Sequence, residues 1–243
     1  MNSAQTCIIL AGGFGTRLRS IVSNVPKPLA PVGGTPFLGL LLSHCYDKGI
    51  KNIVLSLHYQ SDQIIAFSRK FADRFQFRYI VEDTPLGTGG GIKRCLMDIQ
   101  DEHVFVVNGD TFFDVDYLHL FMVHLKAGSV ASLALAKIEG TDRYGTVDLD
   151  PRTGMVTSFF EKSSSHLGEG LINGGVYLLN RQKTLDLMPP ENVFSFEKEF
   201  LQRHFKTQRF LGVPYPNANF IDIGIPSDYE RAQTLLSGKF TLL

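Results

Sequence analysis

Two fixed cations close behind a glycine-rich turn are the first residues in the chain whose types and spacing suit chemistry. In Leu10-Ala11-Gly12-Gly13-Phe14-Gly15-Thr16-Arg17-Leu18, the apolar run from Cys7 to Ala11 reads as a buried strand that empties into the turn. Arg17 closes the turn, and Lys27 follows within Pro26-Lys27-Pro28. Glycines let backbone N–H groups approach an anion closely, and the cations neutralise its charge, so the segment suits the phosphates of a nucleoside triphosphate. It matches neither Gly-x-x-x-x-Gly-Lys-Ser/Thr nor Gly-x-Gly-x-x-Gly; no Lys stands at the first spacing, and Leu18 takes the place of the third glycine in the second. The glycines alone would equally spell a tight strand-to-helix turn.

Three acids stand where such chemistry can use them. Val104–Val107 runs into Asn108-Gly109-Asp110, which puts a carboxylate at the carboxyl edge of a strand, although an Asp there also suits a helix cap. Asp222 lies in Phe220-Ile221-Asp222-Ile223-Gly224, equally a turn spelling. Attack on one phosphate of a nucleoside triphosphate is mainly a matter of positioning and charge neutralisation, which a divalent cation held by one or two carboxylates supplies; Mg²⁺ takes oxygen ligands and keeps waters. Asp110 and Asp222 can share one ion only if folding brings them together. Glu82 ends a strand after Val81.

Gly-Gly-x-Gly-Thr-Arg-Leu followed by Pro-Lys-Pro resembles the signature of the sugar-1-phosphate nucleotidylyltransferases. The likeness continues through Asn108-Gly109-Asp110, Glu161-Lys162, Asn173-Gly174-Gly175-Val176-Tyr177 and Asp222-Ile223-Gly224, so it covers nearly the whole chain. Relatives often carry Trp-x-Asp-x-Gly at the last of these, and this chain has no Trp. The resemblance implies Asp110 and Asp222 as Mg²⁺ ligands, Arg17 at the leaving pyrophosphate and Lys27 at the α-phosphate. It implies nucleotide contacts at Leu10, Ala11, Gly12, Gly13, Gly15, Thr16, Glu82, Gly87, Thr88, Asn108 and Gly109, with the base read by position 82 and the backbone around Gly87. A carboxylate only accepts hydrogen bonds, so Glu82 there suits the adjacent N1–H and N2–H donors of guanine better than the single N3–H of uracil or thymine. On the sugar-phosphate side it implies Tyr144, Gly145, Glu161, Lys162, Asn173 and Gly174, with Glu197 as a further candidate for the same wall. Without the family context, Glu161-Lys162 reads as solvated surface and Glu197 as an acid at a helix start. Within the family, the short chain and Gly87-Thr88-Gly89-Gly90-Gly91 most resemble the guanylyltransferase branch acting on a manno-configured heptose 1-phosphate. Mannose 1-phosphate with GTP and N-acetylmuramic acid 1-phosphate with UTP remain the alternatives. A non-catalytic module on the same fold remains the other class, although it should have lost one of the charged residues.

The elements that must position these residues follow from the hydrophobic pattern. Strands are expected at Thr6–Ala11, Asn52–Leu57, Phe77–Val81 and Val104–Val107. Helices are expected at Pro36–Lys48, capped by Thr35, and at Ser61–Phe75, Gly89–Ile99 and Val115–Lys126. Alternating apolar strands and helices predict a three-layer αβα, Rossmann-like sheet, mostly parallel, with ligands beyond the carboxyl ends of its strands. From about Val130, shorter strands at Ala131–Ile138, Gly145–Asp148, Met155–Phe160 and Leu171–Leu179 extend the sheet in antiparallel fashion. Helices at Gln182–Leu187 and Phe196–His204 and a strand at Phe210–Val213 follow. The last helix opens on a capping box, Ser227-Asp228-Tyr229-Glu230. The expectation is one domain over residues 1–243, with a nucleotide half to about 128 and a sugar-phosphate half from about 129, and no appended β-helix.

Composition narrows the classes. The chain has 243 residues, 44% of them apolar, enough for a sizeable core, and balances 24 basic against 24 acidic side chains. There is thus no basic excess for nucleic acid or a membrane surface. No apolar run is long enough for a membrane span and the N-terminus lacks the pattern of a leader, so the expected place is the cytoplasm. Cys7, Cys45 and Cys95 lack metal spacing and are expected to be buried thiols. His119 and His124 read as ordinary helix or core residues. Asp114-Val115-Asp116, which has the spelling of a glycosyltransferase metal motif, reads as the start of a helix. Expected partners are an NTP and a sugar 1-phosphate, with a homo-oligomer left open.

Overall fold

The computed structural model describes residues 6–18, 21–22, 24–139, 141, 144–160 and 168–238. In chain order the strands are β1 (Thr6–Leu10), β2 (Pro31–Val32), β3 (Thr35–Pro36), β4 (Asn52–Leu57), β5 (Gln76–Val81), β6 (His103–Asn108) and β7 (Thr111–Phe113). There follow β8 (Ala131–Glu139), β9 (Thr146–Leu149), β10 (Val156–Phe160), β11 (Glu169–Asn180), β12 (Phe210–Pro214) and β13 (Phe220–Asp222). The α-helices are α1 (Phe37–Asp47), α2 (Ser61–Ser68), α3 (Gly87–Asp98), α4 (Tyr117–Ala127), α5 (Arg181–Leu187) and α6 (Pro226–Leu235). Their contacts gather into two compact units, each discontinuous in sequence.

One unit combines residues 6–85, 107–114 and 219–238. Its strands β1, β4 and β5 are parallel, with Leu10 opposite Ser56 and Leu57 opposite Val81. β1 and β4 are almost wholly buried, as their largely apolar runs require in a sheet covered on both faces. Two short strands escape any periodicity argument: β13 pairs antiparallel with β7, setting Asp222 opposite Thr111. The Ile223 N–H donates to the Asp110 carbonyl at 2.9 Å and the Asp114 N–H to the Asn219 carbonyl at 3.0 Å, so the two segments are tied at both ends.

The other unit combines residues 86–106 and 115–218. Its sheet is mixed: β8 pairs antiparallel with β11 and parallel with β12, and β9 pairs antiparallel with β10 and β11. The register of β11 shifts between Asn173 and Tyr177, a bulge at Gly174-Gly175. Phe196–Gln202 is a turn of π-helix, a form concentrated at functional sites.

Several ends differ from the expectation. Thr35 lies in β3 and caps nothing; Pro36 precedes α1 without a side-chain cap. α2 stops at Ser68 and passes into a 3₁₀ turn at Arg69–Phe71 instead of running to Phe75. α6 starts one residue before the expected capping box, because Pro226 is set for the first helical position; Ser227 caps nothing, and Asp228 pairs with Arg231 at 3.0 Å. Asp116, in contrast, caps α4 by accepting from the His119 N–H at 2.9 Å, and Asp114 lies 3.3 Å from Lys48. The Asp-Val-Asp spelling therefore belongs to a helix start. All three cysteines are buried free thiols.

Two buried histidines predict the acid limb of stability. Burial first, then the charges of His103 and Lys183, pulls His124 down to about 3; burial and Lys48, opposed by Asp114, pull His44 down to about 4. An unfolded histidine titrates near 6.5, so below that pH the unfolded chain takes up protons that the folded chain refuses. Their contribution is complete above about pH 6.5 and is lost as pH falls from there toward 4 and 3. Thermal unfolding should give a Tm that declines below pH 6.5, and His124→Gln, whose amide can still reach the Ser132 hydroxyl, should decline less steeply; parallel slopes would contradict the assignment.

Candidate active site

The glycine-rich turn leaves β1 under tight backbone control. The Ala11 N–H donates to the Ser56 carbonyl at 2.8 Å and the Gly109 N–H to the Leu10 carbonyl at 2.9 Å, so the turn is held from both neighbouring strand ends. A Cβ on Gly109 would stand 2.5 Å from the Leu10 carbonyl oxygen, which no side chain tolerates. Gly109 thus lets the Asn108–Asp110 turn lie against β1. Gly13 meets nothing within 4 Å and Thr16 and Arg17 are exposed, so this edge of the turn is open. Gly12 and Gly15 lie against His58 and Lys27 respectively.

Lys27, Asp110, Asp222 and Arg17 converge within the same unit. The Lys27 ammonium lies 2.5 Å from Asp110 Oδ2 on a side chain only 10% exposed. Burial acts to raise the Asp110 pKa, but the Lys27 charge and hydrogen bond, with a bond from Thr111, hold it below the usual carboxylate range. Asp222 goes the other way, to about 6: burial raises it, the Asp110 charge adds to this, and Lys27, the Gly224 N–H and Arg17 only partly offset both. Two carboxylates are therefore pressed together with one ammonium beside them. Such a pair gains from a further cation. Its donors are all oxygen, suited to a hard ion, and among the described residues no cluster of three or more His, Cys, Asp or Glu forms. Two carboxylates leave most of an octahedral shell to phosphate and water oxygens, the arrangement Mg²⁺ favours. Beside them, Asn108 Oδ1 is buried without a hydrogen-bond partner among the described residues.

Glu82, following β5, is gripped by three successive residues. Its N–H donates to the Leu57 carbonyl at 2.8 Å, its carboxylate accepts from the Ser56 hydroxyl at 2.9 Å, and its carbonyl lies 2.8 Å from His58 Nδ1. Phe14 rests on His58 and Tyr59, with ring centroids 5.4 and 5.6 Å away. Ser56 and His58 are the residues sequence reading missed; a polar Ser56 within the apolar run of β4 was the available signal.

In the other unit, further candidates fall into two hydrogen-bonded groups. The Asn173 N–H donates to the Gly145 carbonyl at 2.9 Å, and Asn173 Nδ2 donates to the Tyr177 hydroxyl at 2.7 Å. Burial first, then the nearby Glu197 charge, raises the Tyr177 phenol well above its usual value. Glu197 accepts from Thr88 at 2.8 Å and Ser195 at 2.9 Å. Tyr144 adjoins Gly145, and Gly174 is buried in the β11 bulge. Gly87 has a φ of +72° and a Cβ there would meet the Phe194 carbonyl oxygen at 2.6 Å; Gly89 and Gly90 press on Phe194 and Asn192. The glycines of this segment thus seat the 192–194 loop on the start of α3. Glu161 and Lys162 lie outside the described residues.

A phosphate-suited turn on parallel strands, backed by a paired-carboxylate centre, defines an α/β nucleotide-binding transferase. Residues 6–238 match the Nucleotidyl transferase family model. The chain is 40% identical over 226 residues to D-glycero-alpha-D-manno-heptose 1-phosphate guanylyltransferase of Aneurinibacillus thermoaerophilus, covering 93% of this chain and 96% of that one. It is 42% identical over 225 residues to the protein of the same name from Campylobacter jejuni, covering 91% and 96%. The crystal structure of HddC from Yersinia pseudotuberculosis superposes with a TM-score of 0.84 at 37% identity, covering 96% of this chain and 99% of that one; a second HddC structure, complexed with GMP-PN, gives 0.83 at the same identity and coverage. The chain belongs to the nucleotidyl transferase family, and its fold is the expected mixed α/β sheet with flanking helices.

Proposed function

We propose that the protein transfers GMP from GTP to D-glycero-alpha-D-manno-heptose 1-phosphate, giving a GDP-heptose for surface polysaccharide assembly and releasing pyrophosphate. The observation that carries this reading is the gathering of Arg17, Lys27, Asp110 and Asp222 around one centre, in a chain similar over almost its full length to two proteins named for that activity. A sugar-phosphate oxygen attacks the α-phosphorus as the bond to the leaving pyrophosphate breaks; no carbon–oxygen bond changes.

Asp110 and Asp222 would hold Mg²⁺, which supplies charge neutralisation at the phosphates when bound. Lys27 neutralises the α-phosphate and, stiffened by its flanking prolines, keeps it in place. Arg17 takes the developing charge of pyrophosphate through its planar fork of donors. The turn from Leu10 to Thr16, with Asn108 and Gly109, bears the nucleotide, and Glu82 accepts from guanine N1–H and N2–H, with Gly87 and Thr88 beside the base. Tyr144, Gly145, Glu161, Asn173, Gly174 and Glu197 hold the sugar, and Lys162 its phosphate. With two donors on Glu197, its share is to brace Thr88 at the start of α3. The cytoplasm, where NTPs are made, is the place this reading implies. No described helix is long and apolar enough to cross a membrane.

A matrix of GTP, UTP, CTP, ATP and dTTP against heptose, mannose and N-acetylmuramic acid 1-phosphates, read by pyrophosphate release, tests the proposal. GTP with the heptose phosphate should exceed every other pair; preference for UTP or dTTP would remove the base argument, and preference for mannose 1-phosphate would remove the sugar.

A further inference from the structure

We propose that Ser56 and His58 are positioning residues that set nucleotide selectivity by fixing Glu82 before the base arrives. The inference rests on the reading of Glu82 as the group that accepts from guanine. An acid at the end of a strand ordinarily samples several rotamers, and ordering it on binding costs affinity. Here the backbone N–H, the backbone carbonyl and the carboxylate of Glu82 are each engaged, by Leu57, His58 and Ser56 respectively.

The chemistry of each contact points the same way. The Ser56 side chain is in a residue 2% exposed, and its hydroxyl donates to Glu82 Oε1 at 2.9 Å. A carboxylate accepts several hydrogen bonds at once, so the bond from Ser56 orients the group. The Glu82 carbonyl can only accept, so the His58 nitrogen 2.8 Å away is Nδ1–H, which fixes that ring's tautomer and holds the peptide carrying Glu82. The Ser56 carbonyl in turn receives the Ala11 N–H at 2.8 Å. One residue of β4 thus holds both the start of the phosphate-suited turn and the acid, and sets the spacing between them. A fixed acceptor rejects a base that lacks the matching donor more strongly than a mobile one, because a mobile one can turn away to water.

GTP and ITP separate on this point, since hypoxanthine has N1–H and lacks the 2-amino group. Dissociation constants for both, measured by calorimetry with Mg²⁺ and no sugar phosphate, give a ratio that does not depend on the fraction of folded protein. The intact protein should prefer GTP by about 10- to 100-fold, as one hydrogen bond to a charged acceptor warrants. Glu82→Gln should reduce that preference to about threefold or less. Ser56→Ala should reduce it roughly fivefold, Ser56→Thr should keep most of it, and Ser56→Ala added to Glu82→Gln should change nothing further. If Glu82→Gln left the GTP to ITP ratio intact, the base reading itself would fall. If Glu82→Gln lowered the ratio while Ser56→Ala did not, or if the two losses multiplied in the double variant, base reading would stand and the positioning role would be overturned.

Discussion

Asp110→Asn is expected to lower turnover with Mg²⁺ about 10³-fold, equivalent to roughly 4 kcal/mol of transition-state stabilisation, while the protein still unfolds cooperatively. The substitution keeps the volume and the hydrogen-bonding shape of a residue on the tightly packed Gly109 turn, so the fold has little reason to change. What it removes is the charge of the acid best kept ionised in the site, next to Lys27 and Thr111. Asp222 remains for Lys27 to neutralise, which limits the cost of leaving that ammonium with one carboxylate instead of two. Pyrophosphate release at saturating substrates, read beside a thermal unfolding curve, separates the two effects. Turnover above a tenth of the normal rate would remove Asp110 from the centre.

Lys27→Met carries the second large effect and moves two observables in opposite directions. The lysine stem is buried, and methionine fills nearly the same space without the charge. Loss of the cation proposed to sit at the α-phosphate should cost about 10²- to 10³-fold in kcat/KM. Without the ammonium, Asp110 and Asp222 repel each other with no fixed cation in contact, so a divalent ion added alone should raise Tm more in the variant than in the parent. Mn²⁺ is a convenient probe because it accepts the same oxygen donors. Equal Mn²⁺-induced shifts in the two proteins would show that Lys27 and the ion do not share the carboxylates.

Much of this centre is legible before any coordinates exist, and the reason lies in particular elements. β1, β4 and β6 are largely apolar runs, as strands buried on both faces must be. The ends of β1, β5 and β6 are where side chains turn polar, so the glycine turn, Glu82 and Asp110 could be placed on sequence grounds. β7 and β13 could not, because three residues hold no periodicity. Yet their pairing is what carries Asp222 to Asp110. The cap at Thr35 and the box at Ser227 failed for separate reasons: Thr35 is paired with Val32 in a short hairpin, and Pro226 starts α6 one residue early. The segment Gly87–Gly91 reads in sequence only as a glycine-rich stretch like that of the guanylyltransferase branch. Its glycines make room for Phe194 and Asn192, a requirement set by a partner far away in the chain.

Residue types and short-range spacing alone determined the family, the polyphosphate-suited turn and the acids able to meet a cation, because each depends on side-chain chemistry or on a strand boundary. Only tertiary structure decided that Asp222 adjoins Asp110, that Ser56 and His58 grip Glu82, and that Glu197 holds Thr88. Those contacts join segments whose separation is set by chain topology, and hydrophobic periodicity reports which face is buried without reporting what lies against it.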